Sequence, residues 1–477
     1  MSPCNKTYKS IIPSIFFFLL SLITMFSLTK VPIVYGKELE TTQTPVSFRS
    51  NDGVVLQGTI VSPVSANKKY PAILMVSGAG TGKRDVFQKE AEAFAKQGIV
   101  TLIYDKRTKG YSMTSRDYSL LADDAIAGMN LLRNRNNVDP NRVGIYGLSE
   151  GGWVAPLAAV RDPKTAFVIV AGAVGHTPSQ QQAWSYGEFL RHGKVKGSLL
   201  PTMQETVMKQ LIGVKLYPEY DYDTIPVWKE VKQPVLAMWG SYDREAVTKQ
   251  SSQIITNALQ QGGNTHYIIR FIKGARHNLQ KTYNKGFDRP NSLTPGVADL
   301  VVSWVYGLEN KLPSIHIDSN ISLPEAPQSK SLPPLKWYES TWLQLFIFIL
   351  LLFAFVQIPV MTIYRKWKKG DSNTPNLKLE NWLAIIGLTT ILGTIIYLLF
   401  MVMTAANLVG PVIFGQPIPW MILRILAASI IILTIIIIVK WWKHPTRIPI
   451  GIRIQLCGLI FAGILFIPWG IYWGLLD

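Results

Sequence analysis

Cysteine is nearly missing. Of 477 residues only two are cysteines, Cys4 and Cys457, and both lie in apolar flanks. The long region between them can build neither a disulfide framework nor a cysteine metal cluster, so an apolar core must stabilise it. Charge is scarce as well, at 16% against 48% hydrophobic residues, which is too apolar for a wholly water-exposed chain. Acidic residues are rarest in the flanks: outside residues 37–340 there are 3 Asp/Glu against 13 Lys/Arg. Of the net charge of +18, these flanks therefore carry +10 and residues 37–340 carry +8. Basic residues that punctuate hydrophobic runs mark membrane topology. No basic run interleaved with aromatics points to nucleic acid, and no internal repeat is present.

The N-terminus carries Lys6 and Lys9, then an apolar run from Ile11 to Leu28, then Gly36. Residues 1–36 thus read as a secretory signal or an uncleaved N-terminal anchor, and either places residue 37 onward outside the cytoplasm. Four apolar runs follow residue 340, at 342–364, 382–403, 418–439 and 454–476, each long enough to cross a ~30 Å hydrocarbon core. The loop 365–380 has five basic and two acidic residues, 405–417 has no charge, and 440–453 has four basic residues and no acidic ones. The positive-inside bias makes the first and third loops cytoplasmic. The predicted location is a multi-pass cell-membrane protein with its large domain extracytoplasmic. Arg424, inside the third run, is expected to snorkel to the outer interface. Residues 312–340, with five prolines, read as a stiff linker.

Between leader and linker, apolar strands alternate with helical segments. Strands are expected at 46–49, 54–61, 71–77, 99–104, 142–146, 166–171, 234–239 and 266–272. Helices are expected at 84–97, 118–134, 149–160, 246–261 and 295–308. This alternation predicts an α/β domain over 37–311, with a mainly parallel sheet covered by helices on both faces. Residues 176–233 break the alternation and hold seven aromatics, among them Trp184 and Tyr186. They read as a cap that shapes a pocket and excludes water.

The sharpest motif is Gly147-Leu148-Ser149-Glu150-Gly151-Gly152, which follows a short apolar strand and opens a helix. A serine on such a strand-to-helix elbow projects its hydroxyl out of the sheet. With Ser77-Gly78-Ala79-Gly80, Tyr104-Asp105-Lys106-Arg107, Trp239-Gly240-Ser241-Tyr242-Asp243 and Gly274-Ala275-Arg276-His277, residues 45–310 resemble an α/β-hydrolase of the esterase and prolyl-oligopeptidase-like branch. The resemblance implies the catalytic order Ser149, Asp243, His277. A serine hydroxyl needs a base, histidine titrates near neutrality, and a carboxylate orients the imidazole. Asp221 and Asp223 compete for the acid role but fall in the cap. The oxyanion hole is expected from backbone N–H groups of Glu150 and of Ala79 or Gly80. Asp105 and Arg107 are expected to hold their loop. Glu150 is read as a charge near the pocket mouth or a solvated helix start. His176, Trp184 and Tyr186 are expected to line the pocket. Gly78–Lys83 fails the phosphate-loop spacing and is rejected.

The resulting expectation is a membrane-anchored serine hydrolase that cleaves carboxylic esters or thioesters through an acyl-enzyme. Its substrate would be a small acyl compound, lipid-derived in one version, and neither metal nor organic cofactor is implied. Two alternatives stay open: a serine peptidase of the prolyl-oligopeptidase or aminopeptidase type, and a non-catalytic ligand-binding or sensing ectodomain on a membrane module.

Overall fold

The computed structural model describes residues 38–64, 68–80, 82–319, 323–324, 326–369, 377–443 and 450–477. The expected leader lies outside the described residues. Among the described residues, nine strands form one sheet in the order β1-β2-β4-β3-β5-β6-β7-β8-β9. They are β1 Thr41–Arg49, β2 Val55–Pro63, β3 Tyr70–Val76, β4 Val100–Tyr104, β5 Val138–Leu148, β6 Val168–Ala171, β7 Val235–Gly240, β8 Tyr267–Ile272 and β9 His316–Ile317. β1 pairs antiparallel with β2, and β2 antiparallel with β4; every later pairing is parallel. This order, with β3 and β4 exchanged and an antiparallel hairpin at one edge, is that of the α/β-hydrolase fold.

The central strands are apolar at nearly every position because both faces are covered. All residues of β3, β4, β6 and β7 are buried. One face packs on α2 (Tyr118–Arg133) and α3 (Gly151–Arg161), where Tyr118, Trp153 and Trp239 join one cluster. The other packs on α1 (Gln88–Lys96) and α8 (Val297–Gly307), through Phe94, Phe167 and Trp304. The start of α2 is capped: Asp117 Oδ1 accepts from the N–H groups of Ser119 and Leu120.

Among the described residues, four helices are long and apolar enough to cross a membrane: α9 (Thr341–Lys369), α10 (Lys378–Met403), α11 (Ile418–Lys443) and α12 (Ile450–Tyr472). The segment between β6 and β7 holds α4 (Pro178–His192), a turn at Leu199–Pro201, a π-helical turn at Thr202–Val207, α5 (Met208–Gly213) and α6 (Ile225–Glu230). It does not merely cover the sheet. Leu190, Leu199, Met203 and Met208 are fully buried against the apolar helices, in a cluster with Trp420, Phe466 and Trp469. Polar contacts stitch the same junction: the Trp420 indole N–H donates to Ser198 Oγ at 3.3 Å and Lys196 N–H to the Gly415 carbonyl at 2.7 Å. Lys209 pairs with Glu339 at 3.0 Å.

The expected linker departs from a free spacer. It opens with β9, which adds a parallel edge strand beside β8. Further on, Ser329 N–H donates to Gln250 Oε1 at 3.0 Å and the Pro327 carbonyl accepts from the Trp184 indole at 2.7 Å. The proline-rich stretch is docked on the cap and α7 (Thr248–Gln261) rather than spanning open space. Proline content alone signals an extended backbone, not what it lies against. Arg424 reaches the C-terminal end of the chain, with Nε donating to the Leu475 carbonyl and Nη2 to that of Asp477.

Candidate active site

β5 delivers Ser149 at a sharp turn, and α3 begins two residues later. Ser149 holds φ 55°, the left-handed region, which costs a non-glycine residue on the order of 1 kcal/mol. The turn is held because Ser149 N–H donates to the Ala171 carbonyl of β6 at 2.9 Å and the Ser149 carbonyl accepts from Gly152 N–H at 2.8 Å. Gly147 is required here: a Cβ would lie 2.0 Å from the Gly151 carbonyl oxygen. The strand and its following helix therefore cross at backbone contact, which is the geometry of a nucleophile elbow.

The residue after Ala171 is Gly172. A Cβ on it would lie 2.8 Å from both Cε1 and Nδ1 of His277, so the imidazole rests on this backbone beside the elbow. His277 Nδ1 is 2.8 Å from Asp243 Oδ2, and both residues are buried. Asp243 Oδ1 accepts from the N–H groups of Glu245 and Ala246, each at 2.8 Å, which fixes the carboxylate's orientation. His277 Nε2 is buried with no partner among the described residues. A base nitrogen left open in this way is common before substrate tightens the site. Burial disfavours the imidazolium, but the charges of Asp243 and Glu245 outweigh it, so His277 titrates above its ordinary value. Asp221 and Asp223 take no part in this pair.

Backbone donors flank the serine. A Cβ on Gly78 would lie 3.2 Å from Ser149 Cβ, so the loop after β3 passes directly beside this serine. Among the described residues, the N–H groups of Glu150 and Ala79 are not spent on any hydrogen bond. Gly80 differs: its N–H donates to the Tyr111 hydroxyl at 3.1 Å. That bond removes Gly80 from the expected oxyanion donors and leaves Ala79 and Glu150.

The Glu150 side chain is neither solvated nor at a pocket mouth. It is 1% exposed, paired with Lys106 Nζ at 2.8 Å and facing Arg116 Nε at 3.6 Å. The Tyr111 hydroxyl donates to Glu150 Oε1 at 2.5 Å, and Lys106 also donates to the Gly78 carbonyl. Burial pushes the Lys106 ammonium below its ordinary value against the pull of Glu150. Buried charge of this kind is tolerated only when paired. Sequence reasoning missed Lys106, Tyr111 and Arg116. The one local signal was a lysine directly beyond an apolar buried strand. Arg107 holds its loop as expected: it bridges Asp124 at 2.7 Å and Asp52 at 2.8 Å, joining α2 to the β1–β2 turn. Asp105 accepts from Arg84 N–H at 2.9 Å.

The expected pocket residues diverge. His176 Nε2 lies 3.3 Å from Gln250 Oε1, and burial lowers its pKa. Trp184 lines a cavity with Gln204, Pro327 and Lys330 that includes none of Ser149, Asp243 and His277. Tyr186 is buried in the cap's cluster with the apolar helices. Glu245, not singled out from sequence, sits within electrostatic reach of His277 and pairs with Arg289 at 2.7 Å.

Residues 52–216 match the model of the X-Pro dipeptidyl-peptidase (S15) family. Among curated proteins, the thiohydrolase apmlB of Arthrinium phaeospermum is 30% identical over 128 residues, 26% of this chain and 41% of that protein. The polyketide transferase claH of Penicillium crustosum is 31% identical over 134 residues, 27% of this chain and 44% of that protein. The chain thus spans less than half the length of these relatives. Among solved structures, a dienelactone hydrolase from Anabaena variabilis aligns with 56% of this chain and 98% of its own, at TM-score 0.37 and 21% identity. The acylaminoacyl peptidase of Pyrococcus horikoshii covers 53% of this chain and 39% of its own, at TM-score 0.38 and 21% identity. From its strand order and its elbow, the chain has the α/β-hydrolase fold, joined to a C-terminal region of four long apolar helices.

Proposed function

We propose that this protein is a serine hydrolase that cleaves carboxylic esters or thioesters through an acyl-enzyme, held at the outer face of a cell membrane. The observation that carries the reading is the left-handed Ser149 elbow anchored to β6, with the buried His277–Asp243 pair resting on the next residue of that strand. In this mechanism His277 Nε2 takes the Ser149 hydroxyl proton as Oγ attacks the acyl carbonyl. The N–H groups of Ala79 and Glu150 receive the developing oxyanion. His277 then protonates the leaving group and activates the water that releases the acid. Asp243 keeps the imidazole in the tautomer with its proton on Nδ1.

The thiohydrolase and polyketide transferase names of two relatives support acyl chemistry. A peptidase reading is favoured by the S15 family match. An aminopeptidase, however, needs a carboxylate to hold the substrate's ammonium group. Here Glu150 pairs with Lys106, Glu188 with Arg191 and Arg244, and Glu245 with Arg289, so each of these neighbouring carboxylates is already neutralised. That pairing supports the ester and thioester reading. The outer-face location is supported by the sequence: basic residues cluster between the first and second and between the third and fourth apolar runs, whereas the stretch between the second and third carries no charge.

A fluorophosphonate probe tests the nucleophile: the wild-type protein should be labelled, and Ser149→Ala should not. Absence of labelling in the folded wild type would overturn the enzyme reading and favour a ligand-binding ectodomain. Turnover of aminoacyl p-nitroanilides alone, with p-nitrophenyl esters and acyl thioesters untouched, would replace esterase by peptidase.

A further inference from the structure

A cavity of about 250 Å³ lies where the cap meets the apolar helices, apart from the candidate triad. Its walls come from both sides: Leu211 and Val214 from the end of α5 and the loop beyond it, Phe348 from α9, Leu398 and Leu399 from α10, and Trp469 from α12. Its rim is exposed and apolar, with Val214, Leu216, Leu345 and Leu399 all accessible. Leu345 and Leu399 stand on helices long and apolar enough to span a bilayer, so the rim opens on the surface that lipid would cover.

The polar atoms of the wall narrow the occupant. No charged side chain lines the cavity. Gln210 spends its amide on the Glu339 carbonyl and the Tyr472 hydroxyl, and Gln344 on the Tyr338 carbonyl and the Trp473 indole. Among the described residues, Thr341 Oγ1 and Trp469 Nε1 in this lining are buried polar atoms without a partner. Thr341 is 9% exposed and Trp469 is 1% exposed. An indole N–H can only donate, so the missing partner of Trp469 is an acceptor. A buried donor left unmade is costly, which makes an unpaired pair in one cavity a signature of a ligand. A neutral acceptor attached to a long apolar body is the carbonyl end of an acyl ester. A free fatty acid would bring a carboxylate, and a headgroup a phosphate, into a wall that offers neither a cation.

We propose that this junction is a binding site for one acyl chain of an esterified bilayer lipid, its ester oxygen placed at Thr341 and Trp469 and its methylenes along Leu398, Leu399 and Phe348. The proposal rests on the four helices spanning a bilayer and does not depend on Ser149 being a nucleophile. Such a lipid would form part of the contact between cap and membrane. The wall runs directly toward the candidate site, because Leu216 is followed by Tyr217, whose ring lies 5.1 Å from the Arg116 guanidinium that faces Glu150.

The test uses the full chain reconstituted in phosphatidylcholine vesicles containing a trace of phosphatidylcholine with a diazirine in one acyl chain. After irradiation, crosslinked peptides are mapped by mass spectrometry. Lipid around the helices labels the spans in any membrane protein, so the informative peptide is the cap segment 207–216. Labelling of that segment together with the spans is the expected result. Labelling confined to the spans would overturn the proposal. Leu399→Trp places a larger ring in the cavity from an exposed position, and overpacking of this kind should lower cap labelling roughly tenfold with span labelling unchanged. Cap labelling that survives this substitution at the wild-type level would also overturn it.

Discussion

Lys106 and Glu150 form an ion pair of 2.8 Å with both side chains 1% exposed, directly behind the candidate nucleophile. The pair joins two loops that must stay in register. The Glu150 N–H is one of the two proposed oxyanion donors, and the Glu150 carboxylate is gripped by Lys106 and Tyr111. Lys106 in turn holds the Gly78 carbonyl, and Tyr111 holds the Gly80 N–H, so Ala79 is fixed from both sides. The side chain of the residue after the serine thereby ties together the two loops that carry the Ala79 and Glu150 N–H groups.

Replacing Glu150 by Gln removes the charge and leaves Lys106 and Arg116 buried without compensation. Breaking a buried pair from one side costs about 3–5 kcal/mol. The expected outcome is a marked drop in the urea midpoint of the hydrolase domain. Tyr111→Phe is gentler, since it deletes hydroxyl bonds worth about 1–2 kcal/mol. It should lower kcat on an activated ester by roughly tenfold with KM little changed, because a loosened Ala79 affects the transition state rather than ground-state binding. Unchanged kcat would remove Tyr111 from any positioning role.

The charges around His277 give a prediction about pH. As a general base it must be neutral, so activity should rise with pH through an inflection above the ordinary 6.5. Asp243→Asn removes a carboxylate charge that holds that pKa up. The inflection should move down, and kcat should fall by about 10⁴-fold as the tautomer is lost. Glu245→Gln should also move the inflection down while sparing most of kcat, since Glu245 acts only through its charge. Stability follows the same sign. A folded-state pKa raised above the unfolded value gives a contribution that is complete below the unfolded pKa and is lost as pH rises through the folded one. A pH–rate profile of the three proteins separates these effects.

The elbow has a steric test. A methyl at residue 147 would meet the Gly151 carbonyl at 2.0 Å, and neither strand nor helix can retreat without leaving the sheet. Gly147→Ala should therefore abolish fluorophosphonate labelling, with far-ultraviolet circular dichroism kept. Full labelling of this variant would show that the turn is not under that constraint.

What was readable in the sequence, and what was not, follows the range of the interactions. The Ser149 elbow, the turn after β7 that carries Asp243 and the loop after β8 that carries His277 are written in a few adjacent residues each. Local patterns of glycine, strand and polar residue suffice to find them. Lys106, Tyr111, Arg116 and Glu150 are scattered over separate segments and meet only when β4 and β5 lie on either side of β3. Nothing local marks Glu150 as buried, because a glutamate at a helix start is ordinarily solvated. The bond that engages Gly80 N–H is illegible for the same reason: its partner Tyr111 lies in another loop. Five of the cap's seven aromatics are buried, but a hydrophobic face does not name what it packs against. Trp184 turned to the linker and Tyr186 to the apolar helices.

That last point yields a prediction about the two halves of the molecule. Leu190, Leu199, Met203 and Met208 are fully buried against the apolar helices, whereas the sheet's own clusters lie elsewhere. Removing residues 341–477 uncovers these side chains, each worth about 1.5–3 kcal/mol when fully buried. The sheet should still form, since none of its strands borrows a partner from α9 to α12. The cap should not stay closed on itself, and the Lys209–Glu339 pair loses its packed surroundings. A fragment of residues 38–340 should therefore keep the far-ultraviolet signature of an α/β fold, yet elute as a large aggregate in plain buffer and as a detergent-bound monomer above the critical micelle concentration. A fragment that is monomeric in both conditions, with the full chain's activity, would show that the cap is complete without the helices and that they serve only as an anchor.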